Sequence, residues 1–230
     1  ANSDTTAYKK EGSTSQSFDS VYGIKINDSS VNYIHQNIGR MSLGVKVGET
    51  YTDYGDGNLE ETEQLYDMAL SGKGFFAISY ADRNGNESVR YTRDGNFTVN
   101  SQGVLMTKDG DFVLAEDGGL INIPEGVKIS VDESGRITAD GQEIAQLQLV
   151  DFEDYNYLKK FGENMYIAID GATTKDAQCK VYQGYLEASN VNVVTEMVDM
   201  ITITRDYESN QKVIQTIDST LEKSVALGRI

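Results

Sequence analysis

Apolar and polar positions alternate with different rhythms along the chain. From Ala1 to about Gly39 the sequence is polar, rich in Ser, Asn, Asp and Tyr, with weak periodicity. That pattern predicts extended or irregular backbone acting as a connector. From about Met41 to Tyr182 short apolar runs alternate with turn signals. Residues 75–80 (Phe-Phe-Ala-Ile-Ser-Tyr) read as a strand, and Arg83-Asn84-Gly85-Asn86 as the hairpin turn after it, because Asn-Gly tolerates positive φ at both central positions. Val89-Arg90-Tyr91-Thr92 returns, and Arg93-Asp94-Gly95-Asn96 turns the chain into Phe97-Thr98-Val99. Further strands are predicted over 104–106, 112–114, 120–123, 127–131 and 144–150, punctuated at Gly103, Gly110, Gly118-Gly119, Gly135 and Gly141. Short strands at a spacing of roughly 8–12 residues predict an antiparallel sandwich or irregular barrel. No stretch supplies the crossover helices of a parallel sheet.

From about Asn190 to Leu227 the rhythm becomes helical, without Gly or Pro. Val193, Met197, Met200, Thr204, Tyr207, Gln211, Ile214 and Leu221 recur at spacings of three, four or seven, and Val194, Ile201, Ile217 and Val225 widen the stripe. Asn192 is placed to cap the helix start, with Glu196 and Asp199 near its positive end. Lys223 and Gly228-Arg229 suit the other end. At about 1.5 Å per residue the helix reaches about 50 Å, longer than a small domain is wide. An apolar side chain gains about 1.5–3 kcal/mol on burial, so this stripe calls for a partner helix. The expected class is therefore mostly β with one long C-terminal α-helix, half of a terminal coiled coil. The expected divisions are a connector over 1–40, a β domain over 41–188 and the coiled-coil helix over 189–230.

Composition narrows the chemistry. Lys and Arg number 20 against 36 Asp and Glu, a net charge of -16. No basic stripe is available to displace counterions from nucleic acid or to dock on anionic lipid. No apolar run approaches the roughly 18 residues of a membrane span, and no signal peptide opens the sequence, which starts Ala1-Asn2 without Met. The single Cys, Cys179, leaves no intrachain disulfide or Cys-based zinc site, and the single His, His35, no histidine cluster. With 22 Gly, 1 Pro, 14 Tyr and no Trp, the composition suits short strands and tight turns.

The candidates for catalysis or metal binding are weak. His35 lies in the polar connector, far in sequence from Cys179, and reads as a surface histidine; Cys179 reads as a structural thiol. Gly72-Lys73-Gly74 lacks the Gly-Lys-Ser/Thr ending of a phosphate loop and opens a strand. Asp82–Glu87 and Asp109-Gly110-Asp111 lack the ligand ladder of an EF-hand and read as turns. Glu60-Glu61-Thr62-Glu63 reads as a solvated acidic face. No cofactor is called for.

One family shares these patterns. Gln183-Gly184-Tyr185-Leu186-Glu187-Ala188-Ser189-Asn190-Val191-Asn192-Val193-Val194-Thr195-Glu196-Met197 closely resembles the C-terminal signature of bacterial flagellar rod and hook proteins. Arg205-Asp206-Tyr207-Glu208-Ser209-Asn210 is similar to the Arg-x-Tyr/Phe-Glu-x-Asn segment that follows it there. Gly57-Asn58-Leu59, Leu65-Tyr66-Asp67-Met68, Gly72-Lys73-Gly74-Phe75-Phe76 and Tyr91-Thr92-Arg93-Asp94-Gly95-Asn96-Phe97 resemble its middle motifs, in order. Ala1-Asn2 and Thr6-Ala7-Tyr8-Lys9 resemble the end of its N-terminal motif, although Ala7-Tyr8 stands where Gly-Phe is common. Leu65-Tyr66-Asp67 carries one residue more than the usual Leu-Asp pair.

The resemblance implies a non-enzymatic structural subunit of the basal-body rod, most like members of the distal rod, that self-assembles helically into the axial drive shaft carrying torque to the hook. A proximal-rod or hook subunit is the alternative inside the family; a secreted β-rich enzyme or carbohydrate-binding module, betrayed by a deep pocket holding Glu60 or Asp94 between aromatic walls, is the alternative outside it. The resemblance also implies a family helix, preceding Ala1 and absent from this sequence, as the partner of the stripe. Its other implications are type III export from the cytoplasm, partners among its own copies, other rod and hook proteins and the export apparatus, and a place in the periplasmic, extracytoplasmic axial structure. Assembly contacts are expected through Val193, Met197, Met200, Ile201, Tyr207, Ile214, Ile217 and Leu221.

Overall fold

The computed structural model describes residues 2–25, 36–82, 85–124 and 126–227. His35, the Arg83-Asn84 half of the first turn and Gly228-Arg229 lie outside the described residues. The remaining chain forms two compact units, Lys9–Asp56 and the combination of Ala1–Tyr8 with Gly57–Ile230.

The larger unit is built on antiparallel strands. Its main sheet has nine strands, and the path through seven of them runs Leu158–Phe161, Met165–Ala168, Glu87–Thr92, Phe75–Ala81, Phe112–Val113, Leu105–Thr107, Phe97–Val99. Leu149–Phe152 branches from Phe75–Ala81 and pairs in turn with Thr174–Asp176. A second sheet holds Ile129–Val131, Arg136–Ala139 and Gln142–Gln146; Met68–Lys73 pairs with Gln178–Gln183, and Leu59–Glu61 with Tyr185–Glu187. No sheet among the described residues closes into a barrel, so of the two expected architectures the barrel is not realised.

Phe75–Ala81 is the central element because both its faces are covered. Successive strand side chains point to opposite faces. Phe76 and Ile78 enter one core with Met68, Leu70, Phe97, Leu105, Ile121, Ile137, Leu147 and Val181. Phe75, on the other face, meets the rings of Phe152, Tyr155 and Tyr166 edge-on at 6.1, 5.9 and 5.4 Å. The expected strand over 144–150 is broken. Gln142–Gln146 belongs to the three-stranded sheet and Leu149–Phe152 to the main one, and between them Leu147 donates to Gly135 and Gln148 to Leu114. The pattern gives no sign of the switch because residues 144–150 stay buried or half-buried while the chain changes sheets. Residues 120–123 form only isolated bridges, Leu114 with Leu120 and Val104 with Asn122.

In the smaller unit, Glu11–Ser17 pairs with Val45–Thr52, with an irregularity between Ser13 and Ser15, and Val21–Lys25 pairs with Gln36–Met41. Lys9 is buried and donates from Nζ to the Gly55 carbonyl at 2.8 Å. Much of the polar segment read as a connector is thus paired strand. Its ladders satisfy the backbone, while Val45, Val47 and Tyr51 on the paired ribbon remain exposed.

Val193–Leu227 is one α-helix of 35 residues. Asn192 caps it: its side-chain oxygen accepts from the backbone N–H of Val194 at 3.0 Å and of Thr195 at 3.2 Å. Lys223 stands four residues short of Leu227, and no basic residue occupies the last described turn.

Candidate assembly surface

The base of the helix is held by two segments far apart in sequence. Ala7 donates its N–H to the Glu187 carbonyl at 2.7 Å, and Asn190 donates to the Tyr8 carbonyl at 3.2 Å. Lys160 Nζ lies 3.8 Å from the centre of the Tyr8 ring. Beneath this junction lies a buried ion pair. Arg93 Nη1 donates to Glu187 Oε2 at 3.3 Å, with side chains 3% and 1% exposed. Arg93 also donates to the Gly72 carbonyl, and Glu187 Oε1 accepts from the Gly57 N–H at 2.8 Å. Four segments therefore converge on one charge pair that is hydrogen-bonded on both sides, the condition under which burial of charge is tolerated. Gln183, just before the junction, donates to the Leu65 and Ile129 carbonyls and accepts from Val131 N–H, joining its own strand to Ile129–Val131 and to the turn at Leu65 through one amide. Gly95 admits no side chain, since a Cβ there would stand 1.5 Å from the Met68 carbonyl oxygen.

Above this base the helix stands in water. None of its residues is buried. Val193 is 40% exposed, Met200 66% and Tyr207 69%; Met197, Ile201, Ile214, Ile217 and Leu221 are likewise exposed. Sequence spacing therefore puts all eight candidates on one element, and the fold leaves every one uncovered. Val198, Ile203, Val213 and Leu227 are exposed apolar residues outside the spacing used to find the stripe; the high apolar content of the helix as a whole was the signal for them. Six hydroxyl side chains turn inward along the helix. Those of Thr202, Thr204, Thr216, Thr220 and Ser224 donate to the carbonyl four residues earlier, and that of Ser219 donates to Thr216. Bonded this way they are withdrawn from contacts outside the helix, whose exposed surface carries apolar and charged side chains.

The enzyme-like candidates do not gather. Glu60 lines a hollow of about 260 Å³ with Ser3, Asp4, Thr5, Thr6, Thr62 and residues 186–189, none of them aromatic. Asp94 accepts from Asn96 N–H and Asn164 Nδ2, and burial pushes its pKa up, as it does that of Asp111. Cys179 is half-buried and forms no disulfide. Among the described residues no three His, Cys, Asp or Glu side chains are grouped to hold a metal, and no described helix is long and apolar enough to cross a membrane.

Two family models match the chain. One, described as the flagellar hook protein FlgE/F/G D1 domain, covers residues 69–139; the other, described as the flagellar basal body rod FlgEFG protein C-terminal, covers residues 182–227. The flagellar basal-body rod protein FlgG of Buchnera aphidicola subsp. Schizaphis graminum is 36% identical over 198 residues, 80% of this chain and 73% of the relative. FlgG of Agrobacterium fabrum is 33% identical over 236 residues, 95% of this chain and 86% of the relative. The chain belongs to the flagellar basal-body rod protein family. The FlgF rod protein of Caulobacter vibrioides is 36% identical over 174 residues, 75% of this chain and 68% of the relative. Within the family the chain is FlgG-like. The ion pair joins the two matched regions, Arg93 from the D1 part and Glu187 from the C-terminal part. The exposed stripe falls wholly in the second.

Proposed function

We propose that this structural subunit of the flagellar basal-body rod assembles helically with copies of itself and other axial flagellar proteins into the shaft that carries torque to the hook. It acts without catalysis. Residues 193–227 are the assembly element, packing through Val193, Met197, Met200, Ile201, Tyr207, Ile214, Ile217 and Leu221 in a coiled coil. The observation that carries this reading is the 35-residue helix with no buried residue and an exposed apolar side chain at every seventh position from Val193 to Leu221. Each such side chain gains about 1.5–3 kcal/mol on burial, which a lone chain forgoes and an assembly recovers. The family's N-terminal helix, continuing backward from residues 1–8, is the first partner. The Tyr8–Asn190 hydrogen bond supports it, because it sets that segment beside the helix base. Residues 41–188 serve as an outer β domain making lateral contacts, and residues 1–40 connect it to the paired helices. Contacts between unlike surfaces, which do not close, extend as a filament. The chain reaches the periplasmic part of the axial structure from the cytoplasm through the flagellar export apparatus.

The test is Met200→Asp together with Ile214→Asp. Both side chains are exposed, so the β unit keeps its circular-dichroism spectrum and thermal midpoint while a strain carrying only this variant loses rod assembly and swimming. Normal swimming by that strain overturns the proposal.

A further inference from the structure

The charges on the helix are sorted by side. Val193, Met200, Tyr207, Ile214 and Leu221 stand seven residues apart, and Met197, Thr204, Gln211, Asp218 and Val225 form the second column of the same seam. In heptad terms these are the d and a positions. Glu208 and Glu222 fall at the e position and Glu196 at g, both flanking the seam, while Asp218 lies within it. The three cations of the helix lie elsewhere: Arg205 and Lys212 at b and Lys223 at f. Every charge that a partner helix would meet is therefore negative. Glu208, Asp218 and Glu222 are exposed, and among the described residues none of them takes part in an ion pair.

From this sorting we infer that the helix selects a partner helix carrying Lys or Arg along its own seam and rejects a second copy of itself. The inference rests on the coiled-coil role proposed above and adds the chemistry of the partner. A parallel self-pair sets Asp218 against Asp218 in the seam. An antiparallel self-pair brings the two e flanks together, so that glutamates meet glutamates. Both place like charges at short range in a drying interface, where e and g charges set partner choice. The apolar column from Val193 to Leu221 supplies affinity toward any helix with a matching stripe; the acids decide which one is kept.

The experiment uses the whole chain and two synthetic 35-residue helices with Ile and Leu in the seam, one with Lys and one with Glu at every e and g position. Binding is followed at neutral pH and low salt by the anisotropy of a fluorophore on the peptide. The Lys peptide is expected to bind at least about tenfold more tightly than the Glu peptide, because several charges swing from attraction to repulsion. The variant Glu208→Lys with Asp218→Lys and Glu222→Lys reverses the preference. Met200→Asp with Ile214→Asp abolishes binding of both, which separates seam pairing from general attraction to a chain of net charge -16. Equal binding, a preference for the Glu peptide, no binding of either, or helix-dependent self-association tighter than both overturns the inference. If the Met200→Asp with Ile214→Asp strain fails to swim while the peptides go undiscriminated, the partner chemistry alone falls. If that strain swims, the role beneath it falls too.

Discussion

Arg93 and Glu187 show how much one buried pair can organise. Removing the guanidinium takes the opposite charge away from a carboxylate that stays buried, and such a loss costs about 3–5 kcal/mol. Arg93→Ala is expected to lower stability by that amount, read from the urea midpoint. Asp151 is the second such residue. Burial on its own would raise its pKa, but hydrogen bonds from Tyr155 hydroxyl, Lys175 and Phe152 N–H together hold it below the ordinary 3.8. A carboxylate whose folded pKa is depressed contributes stability that is fully present above 3.8 and disappears as pH falls through the lower folded value. Asp151→Asn is therefore expected to lose about 1–3 kcal/mol at pH 7, with the gap to the wild type narrowing below pH 3.8 in acid-unfolding curves. Turn residues such as Gly110 and Gly118 are legible from sequence because the constraint they meet is local. The Arg93–Glu187 pair is not, since its partners are 94 residues apart and nothing in either neighbourhood names the other.

Among the elements, the helix was the most legible. Its apolar spacing repeats over ten turns, and its cap is a single residue acting on the next three. Asn192→Ala removes the acceptor for two backbone donors and is expected to cost about 1 kcal/mol of helix stability. Hydrogen exchange at the amides of Val194 and Thr195 should accelerate while that of the β core stays unchanged. Strands with one face on the core were legible too: Phe97–Val99 falls where the turn signals place it. The sequence reads Leu149–Phe152 as one strand with its predecessor because the spacing of Ile144, Leu147 and Leu149 does not record a change of sheet. The ribbon pairs of the smaller unit gave no alternating signal, since residues on both faces of Glu11–Ser17 and Val45–Thr52 are largely exposed.

At the scale of the whole molecule, every residue of the main hydrophobic cluster lies between Met68 and Val181. No described residue of the unit Lys9–Asp56 belongs to that cluster, so replacing the unit with a flexible linker is expected to leave one cooperative thermal transition and the β spectrum of the larger unit intact. Loss of that transition would mean that the core depends on the smaller unit. The order of residues along the chain determined the class of elements, the length and stripe of the helix, and the family, because those are written in local spacing and in motifs of contiguous residues. Folding decided the rest. It chose which strands share a sheet, buried Arg93 against Glu187, and held residues 1–8 beside the helix base, because these depend on contacts between residues remote in sequence. It also decided that the stripe has no cover within the described chain, for a period of hydrophobicity tells which face seeks burial and says nothing of whether a surface is there to meet it.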